Sequence, residues 1–443
     1  MFSMFNCGLY ETEITPPLGA SIYGYFFPRK VEGVRDKLFV KALVIENGKN
    51  AAAVATLDMV SLPTEGFCEK VIKRVMQYTK KLKPENIILS ATHSHTSGPR
   101  QIRSETDALY IEMLIMQTAD CIISAEQRME DMRLSYAKEQ AEGLSFIRNY
   151  LMADGTVRTN PGFKRPDVIR PCGELDTGVP VLYFYDANGS IKGAMVNFAC
   201  HHDCVHGNLA SSDYSGILAQ KLKEHYGKNF ICLFLNGFCA NVNNWDCMGG
   251  DGVPPVEDYI RMGNRLAETV IGAENRAVPV SDETVAVARE VLKLKRRELE
   301  QGVLEKYVDL YERDNGRGAR DIANLDGEEF SMAASEIMVK VYRDGPAVFD
   351  WPIHALRIGD CLLYAVPGEM FAQFAEKIRK DSPTQKLFFA ELSNRDGEIY
   401  VPPIELQGYE TVYENHPVSR WLEPAAGDLT AEGAAILGKR LFQ

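Results

Sequence analysis

Short apolar runs, separated by turn residues and by stretches with helical spacing, recur along the whole chain. Strands are predicted at 38–45 and 51–57 around an Asn-Gly turn, which is a strong hairpin signal. Apolar residues at helical spacing then predict helices at 64–83 and 105–130, with a further strand beginning at Ile87 between them. Strands that alternate with helices in this way are typical of an α/β protein.

The rest of the chain continues the pattern. Further strands are predicted at 181–185, 193–199, 230–235, 353–358, 361–366 and 387–392. We therefore predict an α/β fold, a mixed β-sheet core flanked by helices, as a single domain over 1–443. The charged segment at about 284–345 differs, because apolar residues at helical spacing in its first part predict a helical insertion or subdomain, with a polar loop at 315–326.

Polar side chains follow many of the predicted strands at the point where each strand ends. They are Asp58, His93 with His95, His201, the amide-rich loop at 236–244, Glu369, and the region around Tyr400. Ligands of open α/β sheets bind at the carboxyl ends of the strands, so we predict the site there. Two histidines and a carboxylate from separate strands would form a catalytic zinc set with a position left for water. The alternative for His93 and His95 is a structural role as loop histidines that cap nearby backbone.

Composition narrows the class of protein. The chain has 443 residues, of which 45% are hydrophobic and 25% charged, which is ordinary for a globular protein. A net charge of −12 argues against nucleic acid and anionic membrane surfaces as partners. No apolar run reaches the length of a membrane span and no leader pattern is visible, so we expect no stable membrane insertion and no secretion. The 10 cysteines are scattered without a metal-binding motif, which favours buried thiols in a reducing cytoplasm.

Several short motifs together resemble the neutral (non-lysosomal) ceramidase family in its catalytic-domain portion. They cover about residues 8 to 415 in the family's order. The motifs are Ile14-Thr15-Pro16-Pro17, Ala91-Thr92-His93-Ser94-His95, Ile147-Arg148, Asn197-Phe198-Ala199-Cys200-His201, Pro367-Gly368-Glu369, Tyr400-Val401-Pro402 and Tyr409-Glu410.

This resemblance implies a zinc-dependent hydrolase that cleaves the amide bond of an N-acylated small molecule. The zinc ligands that it implies are His93, His201, Glu369 and Tyr400. It implies that His95, Arg148 and Tyr409 position the substrate and stabilise the oxyanion. It also implies a catalytic domain, here expected without the family's C-terminal immunoglobulin-like domain.

The chain departs from the family pattern in places. The family's Gly-Asp-Val-Ser-Pro-Asn loop corresponds to the stretch at 237–243, which has no serine, and Pro402-Pro403 replaces the usual Thr-Thr. We therefore expect a retained zinc site with an altered acyl or amine pocket, in a cytoplasmic enzyme. Two alternatives stay open: a zinc enzyme that acts on an ester or performs lyase or isomerase chemistry on a sugar, and a non-catalytic binding protein with a degenerate site. The oligomeric state is left open.

Overall fold

The computed structural model describes residues 4–25, 27–315, 327–397 and 399–443. The strands are β1 (Met4–Glu13), β2 (Ser21–Ile22), β3 (Arg29–Lys30), β4 (Gly33–Val34), β5 (Phe39–Glu46), β6 (Ala51–Leu57), β7 (Ile87–Ala91), β8 (Glu130–Gln140), β9 (Phe146–Ile147), β10 (Asn149–Met152), β11 (Val157–Thr159), β12 (Val168–Pro171), β13 (Gly178–Tyr185), β14 (Ile191–Phe198), β15 (Leu209–Ala210), β16 (Ile231–Asn236), β17 (Val242–Asn243), β18 (Val278–Pro279), β19 (Val285–Lys295), β20 (Val348–Ile358), β21 (Cys361–Ala365), β22 (Glu369–Met370), β23 (Leu387–Ala390) and β24 (Tyr400–Val401). The helices are α1 (Phe67–Tyr78), α2 (Glu105–Gln127), α3 (Asp213–Tyr226), α4 (Asp258–Glu274), α5 (Val303–Arg313), α6 (Gly327–Met338), α7 (Ala372–Asp381) and α8 (Ala426–Arg440).

One large mixed sheet contains nine of these strands. Its order is β16-β14-β13-β8-β1-β5-β6-β7, with β18 paired to β8 beside this path. The hairpin of β5 and β6 is antiparallel, as predicted, whereas β6 with β7 and β14 with β16 are parallel pairs. The predicted α/β fold with a mixed sheet core is therefore confirmed.

A second sheet, β19-β20-β21-β23, packs face to face with the large one, a layer that the sequence did not predict. Neighbouring residues of β5 point to opposite faces, because strand side chains alternate. Val44 lies in the core with α1 and α2, whereas Ile45 lies in the core with Leu356, Leu363 and Phe388 of the second sheet. Helices α3 and α4 cover the other half of the large sheet, and α7 and α8 cover the outer face of the second sheet.

The prediction of a helical insertion at about 284–345 is wrong for the first part of this segment. Residues Val285–Lys295 form β19, which pairs along its whole length with β20. The segment begins Val-Ala-Val-Ala, so that larger and smaller side chains alternate every two residues, as on the two faces of a half-buried strand. This strand pattern prevails over the helical spacing of the apolar residues that follow. The segment is helical in α5 and α6, and the loop predicted at 315–326 lies, apart from Asn315, outside the described residues.

One helix in the described part of the chain, α2, is long and apolar enough to cross a membrane by length and composition alone. In the structure it packs against β1 and β5 of the large sheet. Leu114 and Ile122 of this helix are fully buried in that core. This is the packing of a core helix in a globular fold.

The two ends of the large sheet come together, and this places the site. β16 and β7 lie at opposite ends of the strand order, yet they contact each other. Each strand is rotated by roughly 20–25° relative to its neighbour, and the twist and coiling accumulate along the sheet. As a result the loops after β7 and β14 meet, and Ser94 and His202 form a parallel bridge between them.

Asp58, one of the polar residues that follow predicted strands, has a structural partner. Its carboxylate accepts from Lys41 Nζ at 3.0 Å and from the amide of Phe39 at 2.8 Å. The Lys41 and Asp58 side chains are only 3% and 1% exposed. A charge this deeply buried needs its partner, because desolvation removes the stabilisation that water would give.

We expect Lys41→Met to lower the free energy of unfolding by about 3–5 kcal/mol, because Asp58 is left as an uncompensated buried charge. The matched control is Lys37→Met, whose pair with Glu13 is 65% and 43% exposed. An exposed pair contributes about 0–1 kcal/mol, so the control is expected to unfold close to the parent protein. Chemical denaturation measures both, and equal losses in the two variants would contradict a structural role for the buried pair.

Candidate metal centre

His93 lies at a sharp bend of the backbone just after β7. Its φ is 76°, in the left-handed region, which costs a residue with a side chain on the order of 1–3 kcal/mol. The amides of His93 and Ser94 donate to the carbonyl of Met59 at 2.8 and 3.1 Å, which holds the bend in place. His93 Nδ1–H donates to the carbonyl of Val60 at 2.7 Å. Because a carbonyl oxygen can only accept a hydrogen bond, Nδ1 must carry a proton. In the neutral ring Nε2 then has a free lone pair, and it faces the centre.

His201 follows β14 and is oriented by the loop after β16. Its amide donates to the carbonyl of Val242 at 3.1 Å. Its Nδ1 lies 2.9 Å from the carbonyl oxygen of Cys239 and 3.1 Å from that of Val242. The Nε2 lone pair of this ring therefore also faces the centre. Holding this imidazole is thus one role of the amide-rich loop at 236–244.

Glu369 and Tyr400 are brought side by side by a short parallel pair of strands. They are direct partners in the register of β22 and β24, and the amide of Glu369 donates to the carbonyl of Ile399 at 2.8 Å. Gly368, with a φ of 70°, makes the preceding turn. A β-carbon there would lie 2.7 Å from the Trp351 ring and 2.8 Å from the Ile399 carbonyl oxygen, so this turn requires glycine.

Four donor atoms from these segments converge in the interior. Glu369 Oε2 lies 3.3 Å from His93 Nε2 and 3.5 Å from His201 Nε2. Tyr400 Oη lies 3.4 Å from His201 Nε2. Glu369 Oε2 accepts no hydrogen bond of acceptable geometry from any described residue, although the side chain is 1% exposed.

His95 approaches the same point from the other side of His93. Its Nε2 is 3.3 Å from His93 Nε2, and the ligand atoms of His93, His95 and His201 all lie within 4.8 Å of one another. Its Nδ1 has no hydrogen-bond partner within the described ranges, and Asp203 Oδ1 is 3.7 Å away. That carboxylate instead accepts a short hydrogen bond from the Tyr25 hydroxyl.

Arg148 reaches the centre beside His201. Its Nε donates to Glu414 Oε1 at 2.6 Å, and its Nη1 is 3.3 Å from His201 Nε2. The guanidinium carbon lies 5.4 Å from the centroid of the Tyr400 ring. Arg148 Nη2 is buried without a partner in the part of the chain that the structure describes. Glu414 thus holds the Nε–H group, Nη1 lies beside His201, and Nη2 is left without a partner among the described residues.

The chain is similar to known proteins in sequence and in fold. No family model matches the chain. The neutral ceramidase of Pseudomonas aeruginosa is 24% identical over 268 residues, a stretch that covers 56% of this chain and 38% of that protein. A crystal structure of that neutral ceramidase superposes with a TM-score of 0.73 at 18% identity, covering 100% of this chain and 75% of that one. A structure of a ceramidase complexed with C2 gives 0.72 at 16% identity, covering 100% and 76%.

The chain is similar in sequence and in fold to neutral ceramidase. The sequence match covers well under half of the curated relative's length, and the structural match extends the shared fold to the whole chain. The resemblance inferred from short motifs is therefore confirmed, as is the fold that it implied.

The electrostatics of the centre favour a bound cation. Burial disfavours charge on His93, but the Glu369 carboxylate outweighs burial and raises the pKa of His93 to about 9. Burial, with Arg148 nearby, lowers the pKa of His201 to about 3. Burial opposes ionisation of Glu369, yet contact with His93 and His201 outweighs it and lowers the pKa of Glu369 well below its ordinary value. The ionised carboxylate therefore has one protonated imidazole beside it, and a metal cation would take the place of that proton.

The donor set fits a divalent metal ion. Two imidazole Nε2 atoms, a carboxylate oxygen and a phenol oxygen form a nitrogen and oxygen set of the kind that zinc accepts. Both imidazoles have their Nδ1 atoms against backbone carbonyls, which is the outer-sphere support typical of metal-bound histidine. Glu369 Oε2, which is buried without a donor among the described residues, is an unsatisfied acceptor that a bound cation would satisfy.

The structure brings together most of the residues that the sequence singled out. His93, His95, His201, Glu369, Tyr400 and Arg148 all lie at this centre. It does not bring Tyr409 there. Tyr409 follows a short 3-10 turn at Ile404–Leu406 and lines a different groove, with Leu151 and Val157. The tyrosine from this stretch that lines the histidine cavity is Tyr413.

Two buried carboxylates that support the site were missed. Glu414 holds Arg148, and Glu391 accepts from the amides of Met370 and Cys239 at 3.1 Å each and from the Cys239 thiol at 3.0 Å. Glu391 thus ties the Glu369 strand to the loop that orients His201. Neither residue has a motif around it in the sequence, because its role depends on partners more than 100 residues away.

We expect the purified protein to bind a single divalent cation per chain. His201→Ala and Glu369→Gln are each expected to weaken its binding by more than about 100-fold, the upper end of what loss of an outer-sphere partner costs. The control is His225→Ala, because His225 lies exposed at the end of α3. Metal content by mass spectrometry and affinity by competition with a chelating dye give the measurement. Undiminished affinity in either site variant would rule out this donor set.

Proposed function

We propose that this protein is a zinc-dependent amidohydrolase of the cytoplasm that cleaves the amide bond of an N-acylated small molecule. The observation that carries the proposal is the convergence of His93 and His201 on the Glu369 carboxylate, with the Tyr400 hydroxyl beside His201, next to a cavity lined by His95. Relationship to the neutral ceramidases supports amide hydrolysis as the reaction class. All 10 cysteines are buried and unpaired, which supports a reducing compartment.

Zinc, when bound, is a Lewis acid that polarises a carbonyl group and acidifies water. The chain's own residues supply the rest of the chemistry. Burial, together with the neighbouring His93 and His201, holds the pKa of His95 well below its ordinary value, so this imidazole is neutral and its Nε2 faces the centre. A neutral imidazole in a dry site can hold or pass a proton at Nε2 during amide cleavage.

Arg148 supplies a fixed hydrogen-bond donor. Its Nη2 is buried at the centre without a partner among the described residues, while Glu414 holds its Nε. A donor held in place in this way stabilises negative charge on a substrate oxygen without reorganising at the moment of reaction. Glu414 acts through Arg148, so it is a positioning residue. The pair explains why an arginine is buried so close to a cation site.

Amide hydrolysis is expected to stop when a chelator removes the metal and to return when zinc is added back. His95→Ala is expected to keep its zinc but to lose about 10²–10⁴-fold in kcat, the usual contribution of an acid–base group. His201→Ala is expected to lose both zinc and activity, whereas His225→Ala keeps both. The measurements are metal content and hydrolysis of a panel of N-acyl amides. If His95→Ala loses its zinc, this residue is a ligand and its assigned role is wrong.

Arg148→Lys is expected to lower kcat by about 10²–10³-fold with zinc content unchanged, because the single lysine nitrogen cannot occupy both the Nε position beside Glu414 and the Nη2 position. Charge is conserved in this variant, so Glu414 keeps a buried counter-ion. The matched control is Arg158→Lys, whose pair with Asp154 is largely exposed. Steady-state kinetics separate kcat from KM, and an effect on KM alone would show that Arg148 binds the ground state and the transition state equally, which contradicts its assigned role.

A further inference from the structure

The cavity beside the metal centre is small. Its volume is about 150 Å³, whereas sites for drug-sized ligands have about 300–1,000 Å³. Among the described residues that line it, the aliphatic ones are Ile22, Pro28, Ala333 and Ile337, and tyrosine and phenylalanine rings form much of the remaining wall. The wall offers apolar contacts, but a volume of about 150 Å³ leaves room for a short acyl group and not for a long alkyl chain.

Positive charge is concentrated around this cavity. Its lining contains Arg29, Arg100, Arg103 and Lys340, with Glu336 as the acidic residue outside the metal centre. The whole chain carries a net charge of −12, so this concentration of positive charge is opposite in sign to the net charge of the protein. A cleft lined by one sign of charge raises the local concentration of a ligand of the opposite sign.

Arg103 is held with its guanidinium fork in a set position. With the Gln101 amide oxygen turned toward the donors, it accepts from Arg103 Nη2 at 2.8 Å, from Arg103 Nε at 2.9 Å and from the Tyr23 hydroxyl at 3.0 Å. Glu336 lies 3.6 Å from Arg103 and 2.7 Å from Lys340, so a single carboxylate is shared by two cations. The two cations together keep an excess of positive charge at the mouth of the cavity.

Arg29 adds a cation deeper in the wall. Its guanidinium donates to three backbone carbonyls, those of Gly207 at 2.9 Å, Tyr23 at 3.0 Å and His95 at 2.7 Å. Within the described ranges no carboxylate lies at ion-pair distance from it, and its carbon is 4.1 Å from the Tyr25 ring centroid. The three carbonyls bind Nη1 and Nη2, Nε has no partner among the described residues, and the charge of Arg29 is opposed only at longer range, by Asp203.

Building on the proposed amide hydrolysis, we propose that the substrate is a small N-acyl compound with a carboxylate close to the amide, in the manner of an N-acyl amino acid. Arg103 and Lys340 bind that carboxylate, and Arg29 adds to the field. Hydrolysis breaks the amide C–N bond, the oxygen of water joins the acyl carbon, and the amine leaves with a proton. The products are a short carboxylate and an amino acid. Gln101 occupies Arg103 Nε and one N–H of Nη2, so the carboxylate is bound by the remaining guanidinium N–H groups together with the Lys340 ammonium.

The first test compares substrates in matched pairs. N-acetyl amino acids are set against the same N-acetyl amines without the carboxylate, and against short-chain and long-chain ceramides, with the zinc-loaded full chain. We expect kcat/KM for the acids to exceed that for their neutral counterparts by roughly 10- to 100-fold, the range for a hydrogen bond to a charged group. The preference is expected to shrink as salt is added, because the mouth of the cavity is open to solvent. A preference for neutral amides or for ceramides would overturn the proposal.

The second test changes the cation. Arg103→Gln is expected to lower the acid-over-neutral ratio of kcat/KM by roughly 10- to 100-fold, through KM. The matched control is Arg74→Gln, because Arg74 pairs with Asp120 on the surface of α1, away from the cavity. An unchanged ratio in Arg103→Gln would refute the assignment of the carboxylate to this residue.

A binding measurement separates this proposal from the one on which it rests. In the zinc-loaded His95→Ala protein, calorimetry with an N-acetyl amino acid and with its neutral counterpart reports recognition without turnover. Selective binding of the acid with no amide cleaved by the parent protein would overturn the hydrolase and support the anion site. Cleavage of amides without any preference for the acid, in either assay, would support the hydrolase and overturn the anion site.

Discussion

A buried carboxylate oxygen lies between two imidazole nitrogens with no hydrogen-bond donor among the described residues, and the rest of the structure depends on this arrangement. Glu369 Oε2 lies 3.3 and 3.5 Å from His93 and His201, in an interior where an isolated anion would be strongly destabilised. The arrangement is stable only with a positive charge among these atoms, supplied by a proton on His93 or by a metal ion. The surrounding backbone contacts, from the Met59 carbonyl to the parallel pair of β22 and β24, hold the three side chains in this relation.

This arrangement of side chains requires that the two ends of the large sheet lie close together. His93 follows β7 and His201 follows β14, which lie far apart in the strand order. Only a strongly coiled sheet brings the loops after them into contact, and the bridge between Ser94 and His202 marks the meeting point. The second sheet then delivers the carboxylate between these two imidazoles, because Glu369 comes just after β21. The packing of the two sheets that buries the core therefore also sets the distances between the side chains of the site.

The charges around the centre are arranged in two zones. Inside, Arg148 is paired with Glu414 through Nε, and its Nη2 is buried without a partner among the described residues. At the mouth, Arg103 and Lys340 share one carboxylate and keep an excess of positive charge. An acidic chain with a cationic entrance to one small cavity is suited to select among small molecules by charge as well as by shape.

Much of this could be predicted from the sequence, and the rest could not, for a physical reason. Apolar runs that end in His93, His201 and Glu369, read with the family resemblance, were enough to predict the α/β sheet and the metal-type residues, because strand periodicity and ligand chemistry are local properties. The strand at Val285–Lys295, the place of Tyr409 outside the centre, and the supporting Glu391 and Glu414 were decided only by the tertiary structure. These features depend on contacts between segments hundreds of residues apart, which the coiled sheet and the second sheet bring together. The spacing of residues along the sequence does not contain that information.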